Sequence, residues 1–282
     1  MDTGFRIKRL TNPESFKQLE LLQMEVWGRG EVIPYHVLIA FQKMGGIVLA
    51  AIDDGGRPIG MLCGYNSFQN GKVYHYMHLC GVVPEMREQG VATALKKTLR
   101  EHLLSQGIEL AKWLIDPLQI PEAYLSLHRL GALGRRYVEH FYGTMRDPYN
   151  RGLESDRLEV VWKLRSRRVE DRVAKKGPEV TVKDLIDEGA KRILTTLKIG
   201  AIEKVLNYRL NVKDDRILLE IPANIDQIKR LDISVATEWR NVTRKIFKKY
   251  IEEGYTVTDL LRDTENGRTR YYYLIEKNPD TG

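Results

Sequence analysis

The chain has 282 residues, 43% of them hydrophobic and 29% charged, a soluble globular composition long enough for one large or two ordinary domains. Lys and Arg number 45 against 38 Asp and Glu, a net charge of +7, which suits an anionic ligand without arguing by itself for nucleic acid. The two cysteines, Cys63 and Cys80, exclude a disulfide framework and a cysteine zinc site, so a reducing cytoplasm is expected. No basic-plus-apolar leader opens the sequence and no run reaches membrane-spanning length, so no membrane partner is expected.

Residues 5–10 read as a strand. Asn12 then caps a helix with Pro13 at its first position. Trp27-Gly28-Arg29-Gly30-Glu31 breaks that helix, and residues 34–44 make a second one ended by Gly45-Gly46. Residues 47–52 and 58–65 are strands joined by the turn Asp53-Asp54-Gly55-Gly56, and Asn70-Gly71 is the next turn. Residues 73–83 form a β-branched and aromatic strand ended by Pro84. Past a glycine-containing loop, Val91, Leu95, Leu99 and Leu103 recur every fourth residue, the stripe of a helix that Gly107 stops. Strand, loop and helix together aim unpaired backbone N–H groups outward at the positive end of a helix dipole, which is an anion site.

Further on, residues 110–115 are a compact strand followed by Asp116-Pro117, and residues 120–130 are helix-patterned. Residues 137–142 and 158–164 read as strands on either side of an Asp/Asn/Gly-rich connection. The charged run 165–176, followed by Gly177-Pro178, reads as a solvated linker. Nucleic acid is the less favoured reading of that run because no aromatic is interleaved in it. Residues 181–197 are expected to be helical and 216–221 a strand. Asp232 caps a long helix in which Trp239, Val242, Ile246 and Tyr250 share a face, with Gly254 at its end. Strands 255–261 and 270–275 follow around Asn266-Gly267.

Which anion the loop holds is narrowed by spacing. The chain has neither Gly-x-x-x-x-Gly-Lys-Ser/Thr nor Gly-x-Gly-x-x-Gly, so the triphosphate and dinucleotide loops are absent. Arg87-x-x-Gly90-x-Ala92 directly after a Val-Val-Pro strand end resembles the acyl-CoA diphosphate loop of the GNAT superfamily of N-acyltransferases. Trp27-Gly28, Gly45-Gly46, His78, Trp113 with Asp116-Pro117-Leu118, Phe141-Tyr142-Gly143, and Asp156-Arg157-Leu158 with Trp162 are similar to one poorly described GNAT-like family. The resemblance implies an α/β (α+β) GNAT fold, a mixed, mostly antiparallel sheet flanked by helices. Tyr250-x-x-x-Gly254-Tyr255 resembles a GNAT helix ending, which implies a second, degenerate GNAT-like unit. The expected domains are 1–165 for acyl-CoA, a linker 166–177, and a degenerate unit 178–282.

The resemblance also implies a reaction: transfer of an acetyl or other short acyl group from acyl-CoA to a small amine or amino acid. CoA would be held by Val82, Val83, Arg87, Glu88, Gln89, Gly90, Val91 and Ala92, with a strand-end amide near Val82 stabilising the oxyanion. Three family features are missing, one of them the asparagine often found near the start of the helix after the fifth strand, where Pro121 stands. Leu127 stands where many members carry the tyrosine that protonates the leaving thiolate, and no acid occurs between Val73 and Val83 to serve as base. His78 is the substitute base; Asp116 could bind an ammonium or sit in a turn; His128 and Tyr142 are candidate proton donors; Glu31 could touch the acceptor. Those gaps motivate a second reading, a non-catalytic acyl-CoA-binding sensor or scaffold. Homodimerisation is left open.

Overall fold

The computed structural model describes residues 4–176, 180–265 and 267–279. Gly177-Pro178, expected to follow the charged run, and Asn266, expected in the last turn, lie outside the described residues. The chain divides into two compact units, Met1–Trp113 with Arg146–Tyr149, and Leu114–Met145 with Asn150–Gly282.

In the first unit β1 (Phe5–Arg9) leads to helix α1 (Pro13–Trp27), which starts where the Asn12 side chain accepts from the Ser15 N–H at 2.9 Å. Helix α2 (Tyr35–Lys43) follows, then β2 (Ile47–Asp53), β3 (Pro58–Gln69) and β4 (Lys72–Val82). Asn70 and Gly71 both take positive φ, 51° and 76°, the pair a two-residue hairpin turn needs to match the strand twist. Helix α3 (Val91–Ser105) buries Val91, Leu95, Leu99 and Leu103, as their spacing requires. With β5 (Leu110–Ile115), inside which the unit boundary falls, the strand order is β1-β2-β3-β4-β5, antiparallel except for the β4–β5 pair.

The second unit begins with a short helix α4 (Ile120–Ala123) that widens into a π turn over Tyr124–Arg129, marked by the i→i−5 bond from Leu130 N to Leu125 O. Residues 120–130, expected as one regular helix, therefore change winding midway. The strand expected at 137–142 is displaced: β6 is Leu133–Val138 and pairs with β7 (Arg157–Lys163), while His140 (φ 46°) and Gly143 (φ 68°) turn the chain out of the sheet. The charged run is not an open linker. Ser166 caps helix α5 (Arg167–Val173), Val169 is buried, and Arg168 and Arg172 reach back to Gly131 O and to Asp259.

The helix expected over 181–197 ends early. Thr181 and Asp184 make a capping box for α6 (Val182–Asp187), then Gly189 at φ 99° stops it, with Ala190 N bonded to Leu185 O. The β-branched residues beyond join strands β8 (Lys191–Arg192) and β9 (Leu194–Ile199), the latter paired with β10 (Ile202–Tyr208). Pairing across a turn at Gly200 outcompeted the local helical pattern. Strand β11 (Arg216–Ile221), helices α7 (Ile225–Leu231) and α8 (Ile233–Glu252), and strands β12 (Tyr255–Glu265) and β13 (Arg268–Lys277) complete the unit. Asp232 caps α8, Gly254 ends it, and Trp239, Val242, Ile246 and Tyr250 are all buried. The order is β7-β6-β12-β13-β11-β8, so β12 covers the edge of β6, with Val257 opposite Gly134. Among the described residues no helix is long and apolar enough to cross a membrane, and no cluster of three or more His, Cys, Asp or Glu could hold a metal.

Candidate active site

The loop between β4 and α3 is an amide cradle. Glu88 (φ 62°) and Gly90 (φ 84°) are both left-handed, and the first intrahelical bond runs from Ala94 N to Gly90 O. The first-turn N–H groups of α3 have no intrahelical partner, and the loop from Glu88 leads into them at the positive end of the helix. A Cβ built on Gly90 would meet nothing within 4 Å. Space and donors are both present for a diphosphate, so the cradle fits that group.

At its upstream side the cradle meets the end of β4. The ladder to β5 is confined to His75↔Ala111 and Tyr76↔Lys112, so it stops well before Val82. Val83 donates to Ile59 O at 3.0 Å while Val82 faces Gly60; by antiparallel alternation the Val82 N–H and C=O then point away from β3. The carbonyl is taken there by Arg87 Nε at 3.2 Å, and Arg87 Nη2 donates to Tyr149 Oη at 2.6 Å. Arg87 thus braces the strand end and the loop against the segment Arg146–Tyr149. The Val82 amide is aimed toward the side on which the ladder to β5 has ended.

His78 sits in a β-bulge. Met77 pairs with Gly64 and Leu79 with Cys63, leaving His78 as the extra residue. The bulge breaks strict alternation along β4: Met77 and Leu79 fall on opposite faces, and His78 does not simply share the face of Cys80 and Val82. Its ring is solvent-exposed, yet surrounding atoms desolvate it enough to lower its pKa below the ordinary histidine value. Gly64 is obligatory here. A Cβ on it would lie 2.4 Å from Tyr76 O and 2.9 Å from Met77 Cα, both backbone atoms that cannot swing aside. Gly64→Ala is expected to cost about 1–3 kcal/mol of stability, read as a lower urea midpoint, and to move His78 with the strand.

His75, the neighbouring histidine, is structural. Its Nδ1 lies 2.9 Å from Asn66 Oδ1, and Asn66 Nδ2 donates to Gly45 O, so Nδ1 carries the proton. Burial lowers its pKa to about 4. Glu31 is exposed in the α1–α2 connection, which buried Gln23 holds by accepting from Ile33 N at 2.8 Å and donating to Ile33 O at 3.1 Å.

The other sequence candidates lie in the second unit, each committed to partners. Asp116 Oδ1 accepts from Leu118 N at 2.9 Å, the turn its Asp-Pro composition suggested, and Oδ2 pairs with Arg240 Nη2 at 2.6 Å. Desolvation opposes its ionisation, but the Arg240 guanidinium outweighs it and holds the carboxyl below the usual range. His128 Nδ1 lies 3.0 Å from Asp259 Oδ1, whose other oxygen binds Arg172 at 2.5 Å. Tyr142 lies outside the strand expected to carry it, its N–H on Ser155 Oγ and its ring under the Arg157 guanidinium. Sequence reading missed Tyr149 and Arg240. They stand 62 and 124 residues from the groups they bind, beyond any local pattern.

Residues 13–124 match the family model described as the acetyltransferase (GNAT) family. The chain carries a GNAT acetyltransferase domain. The amide cradle, His78, Glu31 and Asp116 fall inside that match; His128 and Tyr142 fall outside it. Solved structures similar to the chain include the NatC complex bound to Gag peptide and CoA (17% identity, 56% of this chain and 98% of that one, TM-score 0.46). Others are the ribosomal-protein-S18-alanine N-acetyltransferase from Escherichia coli (12%, 57% and 94%, 0.45) and Ard1 from Thermoplasma volcanium (12%, 56% and 96%, 0.44). No curated protein matches the chain.

Proposed function

We propose that the protein is an acyl-CoA-dependent N-acyltransferase that moves an acetyl or other short acyl group onto a small amine or amino acid. The observation that carries this reading is the cradle of backbone amides at the start of α3, within the residues matched by the family model and next to a β4 end released from its β5 ladder. The diphosphate of CoA is assigned to the amides of Glu88 through Ala92. Arg87 braces the loop and adds positive charge. His78 takes the proton of the acceptor ammonium; its lowered pKa keeps the imidazole neutral and able to accept near pH 7. The amine nitrogen then adds to the thioester carbonyl, and the Val82 N–H donates to the oxygen as it becomes an oxyanion. Collapse breaks the C–S bond and the thiolate takes a proton.

The test is turnover in an amine screen that detects free CoA thiol. His78→Ala is expected to lower kcat by about 10²–10⁴-fold with acyl-CoA affinity unchanged. The wild-type kcat/KM should rise with pH through a midpoint below the ordinary histidine value, and the variant should lose that limb. Acyl-CoA binding without turnover on any amine would favour the sensor reading. The second unit, with no Arg/Gln-x-x-Gly-x-Gly/Ala loop beyond residue 178, is assigned no CoA site.

A further inference from the structure

A row of rings runs across the first unit and ends at His78. Phe41 of α2, Tyr65 of β3, Tyr76 of β4 and His78 follow one another with centroid separations of 5.4, 5.5 and 6.3 Å. Tyr65 and Tyr76 are direct partners in the β3–β4 ladder and so share a face of the sheet. Phe41 joins them because the end of α2 is fastened: Gln42 accepts from Val48 N at 3.2 Å and Asn66 donates to Gly45 O at 2.9 Å. The bulge then brings the extra residue, His78, alongside Tyr76.

These rings are not core. The buried tyrosines Tyr250, Tyr272 and Tyr273 are 0% exposed, whereas Tyr65 is 38% exposed, Phe41 and Tyr76 are half-buried and His78 is open to solvent. Solvent-facing aromatics at stacking distance offer a flat apolar body an offset or edge contact, and offer an ammonium the negative π face. Charge on the strand points the same way. No Asp or Glu lies between Val73 and Val83, so β4 has no carboxylate with which to grip a polyamine or an amino sugar. Lys112, opposite Tyr76 in the β4–β5 ladder, already donates to Gln69 at 2.9 Å and lies over the Tyr74 ring at 4.7 Å. A substrate carboxylate would have to compete for it.

We infer that this row is the acceptor subsite, and that the acceptor is a primary amine carried on an aromatic body without a carboxylate, of the arylalkylamine class. The inference rests on the acyltransferase reading and narrows its small amine or amino acid to one chemistry. The ring of the acceptor packs on Tyr65 and Tyr76, and its amine reaches the His78 imidazole at the end of the row.

Two measurements separate the subsite from the reaction. In the first, phenethylamine, tyramine and tryptamine are titrated onto the protein by calorimetry beside spermidine, lysine and glucosamine, with no acyl-CoA present. In the second, the same amines are assayed for thiol release with acetyl-CoA. The aryl amines should bind and be the preferred acceptors. Tyr65→Ala should weaken their Kd and raise their KM by about tenfold with kcat nearly unchanged, and Tyr65→Phe should restore both. An unchanged melting temperature in Tyr65→Ala controls for folding. Thiol release with the polar amines alone, or an aryl-amine Kd that Tyr65→Ala does not move, or no aryl-amine binding at all, overturns the subsite. Tyr65-dependent aryl-amine binding with no thiol release from any amine would instead sink the acyltransferase reading and leave the subsite standing.

Discussion

Gly90→Glu is expected to erase the thermal stabilisation that acyl-CoA confers. The wild-type protein at about a hundred times the dissociation constant of its ligand gains about 2.7 kcal/mol, a shift of several degrees in melting temperature. The substitution acts twice at this position. Gly90 holds φ at 84°, a left-handed conformation that costs a residue with a Cβ about 1–2 kcal/mol, so the variant should melt lower even without ligand. It also sets a carboxylate among the amides from Glu88 to Thr93, where the diphosphate would lie. The readout is therefore the ligand-induced shift, measured with CoA, acetyl-CoA and succinyl-CoA, and not the melting temperature itself. Gly90→Asn separates the two effects, because asparagine tolerates the left-handed region and carries no charge; it should keep most of the shift. A full shift in Gly90→Glu would move the CoA site away from this loop.

Arg240→Leu is expected to be the most destabilising single change in the second unit. Arg240 is 2% exposed and pairs with Asp116, which is 11% exposed. Removing the guanidinium leaves a carboxylate in a desolvated place without its counter-charge, at a cost of about 3–5 kcal/mol. The double variant Arg240→Leu, Asp116→Leu should recover much of that loss, since a buried pair and an apolar pair of similar volume differ little. Chemical denaturation of the four proteins makes the cycle. The same cycle bears on Asp116 as a candidate for chemistry. If Asp116 acts as part of this pair, the double variant regains stability and acyl transfer together; loss of turnover in a well-folded double variant would return Asp116 to the reaction.

The buried carboxylates also set the acid limit. Asp116, Asp156 and Asp259 are each desolvated, which alone would raise their pKa values. Arg240, Arg244 and the His128–Arg172 pair respectively outweigh that and lower them. A carboxylate with a depressed folded pKa contributes stability that is complete above its unfolded value, near 4, and is lost as pH falls through the folded value. Buried His75, whose folded pKa is lowered to about 4, adds a loss that begins higher, since the unfolded chain binds its proton from about pH 6.5 downward. Unfolding midpoints should accordingly begin to fall below about pH 6.5 and fall most steeply below pH 4.

Much of the first unit was legible because its signals are local. Asn12-Pro13, Asp53 to Gly56, Asn70-Gly71 and the four-residue repeat from Val91 to Leu103 each act within a turn or two of chain, and each produced the expected element. The loop was legible for the same reason: strand end, glycine and helix start are consecutive. The errors fell where pairing partners are distant. Residues 191–197 were expected to be helical, but β10 and β11 offered them ladders. The charged run 165–176 looked solvated until Arg168 and Arg172 met Gly131, Thr258 and Asp259.

By itself, then, the sequence determined the order of elements around the loop, the amide cradle and the family to which residues 13–124 belong, because backbone donors and helix dipoles are fixed by neighbours in the chain. Only the tertiary structure decided what the side chains do. It placed His78 on a bulge beside Tyr76, tied Asp116 to Arg240 and His128 to Asp259, and set Tyr149 on Arg87. Whether a histidine or carboxylate is free to work or already spent on an ion pair depends on charges tens of residues away, and a desolvated charge takes whatever partner the fold brings to it.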